Sequence, residues 1–228
     1  MNKRRVLVLL IILALITLFF CLDLGRYLTL ESLKANRDSL LRFYAAHRSA
    51  TILGFILIYV LQTALSLPGA TVLSLAAGAV FGAIQATIYV NIGATLGATV
   101  AFLLARYLLR DPLQRRFETR LERINRELEK AGFNYLLFLR LVPIFPFFLI
   151  NLAAGMTTMP LRTFFWGTLV GIIPGSFVYC NAGASLAAIN RIGEIASPRA
   201  LGSFVLLGLF AIVPAFYKKL KRKKRVSG

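Results

Sequence analysis

The chain has 228 residues, 58% of them hydrophobic, with a mean hydropathy of +0.73 and a formal net charge of +18. That apolar share exceeds the roughly 45–50% of soluble domains and leaves too little polar surface to cover a water-soluble globule. The basic residues cluster at 3–5, 106–130 and 218–225, which excludes a spread nucleic-acid face and fits the positive-inside rule of membrane proteins.

MNKRR followed by VLVLLIILALITLFF predicts a first transmembrane helix over 6–22, its basic end in the cytoplasm. The segment resembles a signal peptide, but no small-x-small cleavage site follows, and Phe20 before Cys21 does not fit lipoprotein processing. Residues 23–50 form an outer segment. Within it Leu30, Leu33, Leu40, Leu41 and Tyr44 alternate with Glu31, Lys34, Arg37, Asp38 and Arg42, the pattern of an amphipathic helix at a membrane surface. Apolar sequence then runs from 51 to 109 with one interruption, SLPGA at 66–70.

Two simple spans over 51–109 would leave the basic stretch 106–130 outside, against the charge rule. A hairpin over 51–80 that dips in and returns to the same side removes the conflict. Helix 82–109 then crosses inward, and a basic cytoplasmic loop over 110–133 follows. A second hairpin, 134–156, enters and leaves from the cytoplasm. Helix 161–187 crosses outward. A C-terminal helix over 200–217 returns, and the tail KKLKRKKR ends inside, where it attracts anionic lipid at about 1 kcal/mol per basic residue. Cys21 and Cys180 lie in or beside apolar segments and read as small hydrophobes without a disulfide framework.

The second hairpin carries the most telling stretch, RLVPIFPFFLINLAAG at 140–155. It is apolar enough for membrane depth, yet holds an arginine, two prolines and an asparagine. Pro143 and Pro146 remove backbone donors and break a helix. Broken backbone survives in a bilayer only where it is buried in protein or borders a wet cavity.

The hairpins also repeat. At an offset of 77 residues LAAG recurs at 75–78 and 152–155, Tyr89 meets Trp166, and Leu96-Gly97 meets Ile173-Pro174. Pro68 and Pro146 nearly coincide, one residue out of register. The expected fold is therefore all-α and polytopic. Two inverted-topology repeats, 51–109 and 134–187, each join a proline-broken re-entrant hairpin to a Gly-rich spanning helix. The terminal segments 1–22 and 188–228 flank them. Many transporters share this architecture, with the site near the midplane between repeats.

The chain resembles the DedA family, the VTT-domain or SNARE-associated Golgi-type membrane proteins, over about residues 50–190. LPGATVLSLAAGAVFG at 67–82, GATLGATVAFLLARY at 93–107, LRLVPIFPFFLINLAAGMTT at 139–158 and IIPG at 172–175 carry the resemblance. The run RLVPxxPF…N…AG is the specific part. The resemblance implies two opposed re-entrant hairpins and a role in moving lipids across bilayers. In eukaryotic relatives this is phospholipid scrambling, and in some bacterial ones recycling of a polyprenyl-phosphate carrier.

Arg140 is the first candidate for a headgroup phosphate, because a guanidinium forks two donors onto phosphate and a charge in a membrane segment is a functional hypothesis by default. Its alternative is a snorkelling arginine at the hairpin entrance. Arg106, at the interface end of the first repeat helix, is the second candidate. Pro68, Gly69, Pro143, Pro146 and Pro174 set the breaks. Asn151 serves freed backbone or a headgroup, Gln62 and Asn181 line the cavity, and Gly155 packs helices closely.

All nine acidic residues fall outside the expected spans, and the one histidine, His47, lies in the outer segment. A buried proton relay usually needs Asp, Glu or His, so proton coupling is in doubt; the relatives' carboxylates near the first hairpin are replaced by YVLQTALSLPGA. No nucleophile–base pair, metal-ligand cluster or GxxxxGKS loop is visible, and neither enzymatic activity nor a cofactor is expected. The expected function is translocation or scrambling of a lipid with an anionic headgroup, its partners being membrane lipids. A small-solute or ion transporter and a non-transporting scaffold are the alternatives, and a homo-oligomer stays open. The location expected is the plasma membrane, multi-pass, with both termini cytoplasmic.

Overall fold

The computed structural model describes residues 3–27, 29–142, 145–188 and 202, with backbone alone over 110–131 and at several positions in 24–37. The expected C-terminal helix 200–217, the basic tail and Pro143 lie outside the described residues, apart from Gly202, which is helical. The described chain is helical throughout: α1 Lys3–Cys21, a short 3-10 turn Leu24–Tyr27, α2 Leu30–Ala46, α3 Arg48–Ala64, α4 Ala70–Phe81, α5 Ala83–Leu141, α6 Phe147–Met156, α7 Leu161–Gly171 and α8 Ile173–Ala188.

Helix α1 buries no residue. Its length and hydropathy suit a bilayer span. Thr29 starts α2 by accepting the Ser32 N–H at 3.2 Å, the N-cap role that threonine fills. The chain bends by 119° between α2 and α3, and Tyr44 near the bend packs edge-on against Phe81, 5.0 Å between ring centres.

Among the described residues three stretches are long and apolar enough to cross a bilayer: Lys3–Cys21, Ala83–Leu109 and Leu161–Ala187. Helices α4 and α6 have 12 and 10 residues, about 18 and 15 Å of helix against a hydrocarbon core of roughly 30 Å. Neither can cross, which fits hairpins that dip and return. The first break needs left-handed backbone, with φ +57° at Ser66 and +110° at Gly69. Glycine takes that conformation freely, and Gly69 also opens α4.

The sequence placed a loop at 110–133; the structure makes it helical within α5, a run of 59 residues. Leucine, glutamate, arginine and lysine dominate that stretch, and all are strong helix formers. The run is not straight. Phe102 and Leu136 share one core, whereas straight helix would part them by about 51 Å. The chain therefore reverses between them, and the second hairpin returns beside the first repeat as expected. Pro174 sits in the first turn of α8, where a missing N–H costs little. The Ile172 N–H bonds the Thr168 carbonyl and the Ser176 N–H bonds that of Ile172, so α7 and α8 act as one span with a one-residue break.

The two repeats exchange arms. The glycine of the first LAAG, Gly78, lies so close to α8 that a Cβ would collide with the Cys180 carbonyl, and the glycine of the second, Gly155, would collide with that of Phe102 on α5. The first arms pack at home: Gly93 and Gly97 against Tyr59 and Thr63, Gly167 and Gly171 against Leu136 and Arg140. Reciprocal exchange of this kind is what an approximate two-fold axis produces, and small residues permit the close approach. Two cores result, one around Tyr59, Phe81, Val90 and Cys180 and one around Phe102, Leu136, Ile150 and Phe164. Gly78→Val is expected to cost about 1–3 kcal/mol as an overpacked contact, read as a lower melting temperature in detergent. An unchanged melting temperature would count against this helix contact.

Candidate functional site

A cavity of ≈ 250 Å³ lies between the repeats. Tyr59 and Thr63 come to it from α3, Ser74 from α4, Arg140 from the end of α5, Phe147 from α6 and Ser176 from α8. Among the described residues, none that lines it is acidic.

Arg140 dominates this cavity. It is 7% exposed. Its Nη2 donates to Asn151 Oδ1 at 2.7 Å and to Thr168 Oγ1 at 2.9 Å, and its guanidinium lies 4.2 Å from the Phe147 ring centre and 5.4 Å from that of Phe164. These contacts spend one nitrogen only. Nε and Nη1 are buried without a hydrogen-bond partner among the described residues, and so is Nδ2 of the fully buried Asn151. Each such orphan costs about 1–3 kcal/mol, more when charged. The snorkelling alternative fails, because a snorkelling arginine carries its head to water.

Arg106 has a different task. Its Nε donates to the Gly155 carbonyl at 3.3 Å, and its Nη2 to those of Thr157 at 3.0 Å and Met159 at 2.6 Å. Its guanidinium stacks 4.3 Å from the Phe102 ring centre. These carbonyls belong to the end of α6 and the turn after it, where helix acceptors have no intrahelical partner. The structure thus gives Arg106 a capping role that ties α6 to α5, in place of the headgroup role expected from the sequence. Arg106→Ala is expected to destabilise the fold by about 1–3 kcal/mol, with lysine a poor substitute because it lacks the planar fork. Thermal unfolding of the two variants in detergent checks this; wild-type stability in both would remove the cap.

Gln62 stands at the first break and not on the cavity wall: its Nε2 donates to the Leu67 carbonyl, and its Oε1 accepts from Thr63 Oγ1 at 3.1 Å. Asn181 is half-buried on α8 and absent from the lining. It lies two residues past the lining Tyr179, about 200° around the helix. Pro68 is exposed in the first break, Pro146 opens α6, and Gly155 packs α6 on α5. The sequence reading missed Thr63, Ser74, Tyr59 and Thr168. The offset of 77 residues pointed to two of them, since it sets Thr63 beside Arg140 and Ser74 beside Asn151.

A second, apolar hollow of ≈ 320 Å³ adjoins the first and shares Leu139, Phe145 and Ile150 with it. Tyr135, Leu149 and Met156 line its far side. Phe145 and Leu149 are about half exposed, at 51% and 47%, so the hollow borders the molecule's apolar exterior.

Comparison with known proteins agrees with this architecture. A family model for the VTT domain matches residues 67–185. An uncharacterized membrane protein of Arabidopsis thaliana is 30% identical over 86% of this chain and 68% of its own length. Transmembrane protein 41B of Danio rerio is 30% identical over 85% of this chain and 70% of its own. The Gallus gallus protein of the same name is 39% identical over 45% and 38%. No solved structure matches the chain. The family match runs from the first break through α4 into α8, more than half of the chain, and the chain belongs to the VTT-domain family of multi-pass membrane proteins.

Proposed function

We propose that the chain carries a lipid with an anionic headgroup across the bilayer, its phosphate held by Arg140 while its tails stay outside. One observation carries this reading: a buried arginine, with donors unpaired among the described residues, lines a cavity without carboxylates. A buried charge without a partner is costly, and an arriving phosphate supplies both the counter-charge and the acceptors. The adjoining apolar hollow favours a lipid over a small solute. It offers hydrocarbon a way out sideways, which a solute carrier does not need. The site sits between two-fold-related repeats, where transporters bind substrate.

In this reading both termini face the cytoplasm, which the three basic clusters support through the positive-inside rule, and the membrane proposed is the plasma membrane. Transfer needs no chemical step and no cofactor in this reading. With no acid in the cavity wall among the described residues, this reading has the lipid run down its own gradient.

The test uses the full chain in liposomes with fluorescent lipid in both leaflets, and a membrane-impermeant reductant outside. Bleaching well past the outer-leaflet half is the expected result. Bleaching that stops there for every anionic lipid tried would overturn the proposal and leave a solute transporter or a scaffold.

A further inference from the structure

The cavity has two unlike walls, one from each repeat. Arg140, bonded to the fully buried Asn151, forms the charged wall. Their counterparts 77 residues earlier are Thr63 and Ser74. Both line the same cavity from the opposite repeat, together with Tyr59. The correspondence is spatial as well as sequential: Thr63 sits against Gly97 of its own spanning helix, as Arg140 sits against Gly171.

The protons of this neutral wall are committed inside the protein. Ser74 Oγ donates to the Ala70 carbonyl at 2.8 Å. It therefore accepts from Tyr59 Oη, 3.1 Å away. Thr63 Oγ1 donates to Gln62 Oε1. A hydroxyl has one proton and two lone pairs, so what these three present to a ligand is acceptor capacity. The wall wants hydrogen-bond donors from the headgroup beyond its phosphate.

Such donors are either alcohol O–H groups or ammonium N–H groups, and charge decides between them. Arg140 brings one positive charge, and a phosphodiester brings one negative charge. With both in place the cavity is neutral. An ammonium would add a charge that no lining carboxylate among the described residues answers, and burying an unpaired charge is costly. A polyol adds its donors without charge. A phosphomonoester would bring more negative charge than one arginine balances.

We infer that the cavity selects a phosphodiester headgroup bearing hydroxyls and no amine, with its phosphate on Arg140 and its polyol on Tyr59, Thr63 and Ser74. The inference rests on the lipid reading above and names its substrate class.

Native mass spectrometry of the detergent-purified full chain, offered equal amounts of phosphatidylglycerol, phosphatidylethanolamine and phosphatidylcholine, tests it. The expected result is retention of phosphatidylglycerol over the other two by about tenfold or more, since each tenfold of discrimination is only about 1.4 kcal/mol. The double variant Thr63→Val, Ser74→Ala is expected to lose that preference, and Thr63→Ser, which restores the hydroxyl, to keep it. The three proteins are first matched by melting temperature, so that misfolding is not read as lost selectivity. Equal retention of all three lipids by the wild type, or a preference that survives the double variant, would overturn the inference. Failure of the lipid reading is a separate result: selective retention without any bleaching of inner-leaflet lipid leaves the headgroup site standing and removes transfer.

Discussion

Replacing Arg140 with glutamine is expected to bring inner-leaflet bleaching down to that of protein-free vesicles while leaving the fold as stable as before, or more so. The two effects have one cause. In the empty protein the guanidinium keeps Nε and Nη1 buried without partners among the described residues, a standing cost. Glutamine can still donate to Asn151 and Thr168, which take one arginine nitrogen now, and it removes the uncompensated charge. Stability lost to a functional group returns when the group is removed. Transfer loses charge-assisted hydrogen bonds to phosphate of about 1.5–3 kcal/mol each, so a fall of roughly 10²-fold or more is expected. Arg140→Lys keeps the charge without the fork and should fall in between. A glutamine variant that melts lower and transfers no lipid would make Arg140 structural. One that transfers normally would remove it from the path.

This pairing also explains what was legible in the sequence. A charged residue beside prolines inside an apolar run is conspicuous, so Arg140, Pro146 and Asn151 stood out. The glycines of the two LAAG segments stood out through repetition, but their spacing did not tell that each arm packs on a helix of the other repeat. Thr168 carries no such signal, and Thr63 and Ser74 carry only their register with Arg140 and Asn151, because a threonine or serine on an apolar helix most often returns its hydroxyl to its own backbone. They acquire meaning only when another helix sets a cation or a cavity against them. Arg106 was misread for the same reason. Its acceptors lie 49 to 53 residues away, and nothing local distinguishes an arginine that binds phosphate from one that caps a distant helix. Within 110–133 the charge density suggested a loop, while the glutamates and arginines that make up that charge, with the leucines between them, favour a helix. Propensity, and not charge, reported the segment's shape.

The opposite wall offers the sharper trial of the charge argument. Thr63→Glu would set a carboxylate into the cavity that Arg140 lines. The cavity would then hold its own counter-charge, and a phosphate would have to displace it or enter as a second anion. Either way the neutral balance reached with substrate in the wild type is reached without it in the variant. Like charge facing an anionic headgroup in a site shielded from water is repelled strongly. Transfer is expected to fall as far as in Arg140→Gln, by roughly 10²-fold. The variant protein should keep its fold, because the new acid gains a partner in a cation that lacked one. Thr63→Gln separates charge from size. It carries nearly the same volume and no charge, so its loss of transfer should be about tenfold smaller than that of the glutamate variant. Combining Thr63→Glu with Arg140→Gln should give no further loss of transfer, while leaving an unpaired buried acid that lowers the melting temperature. Equal losses in the glutamate and glutamine variants would mean that the cavity senses bulk at position 63 and not charge. The electrostatic account of both walls would then fall together.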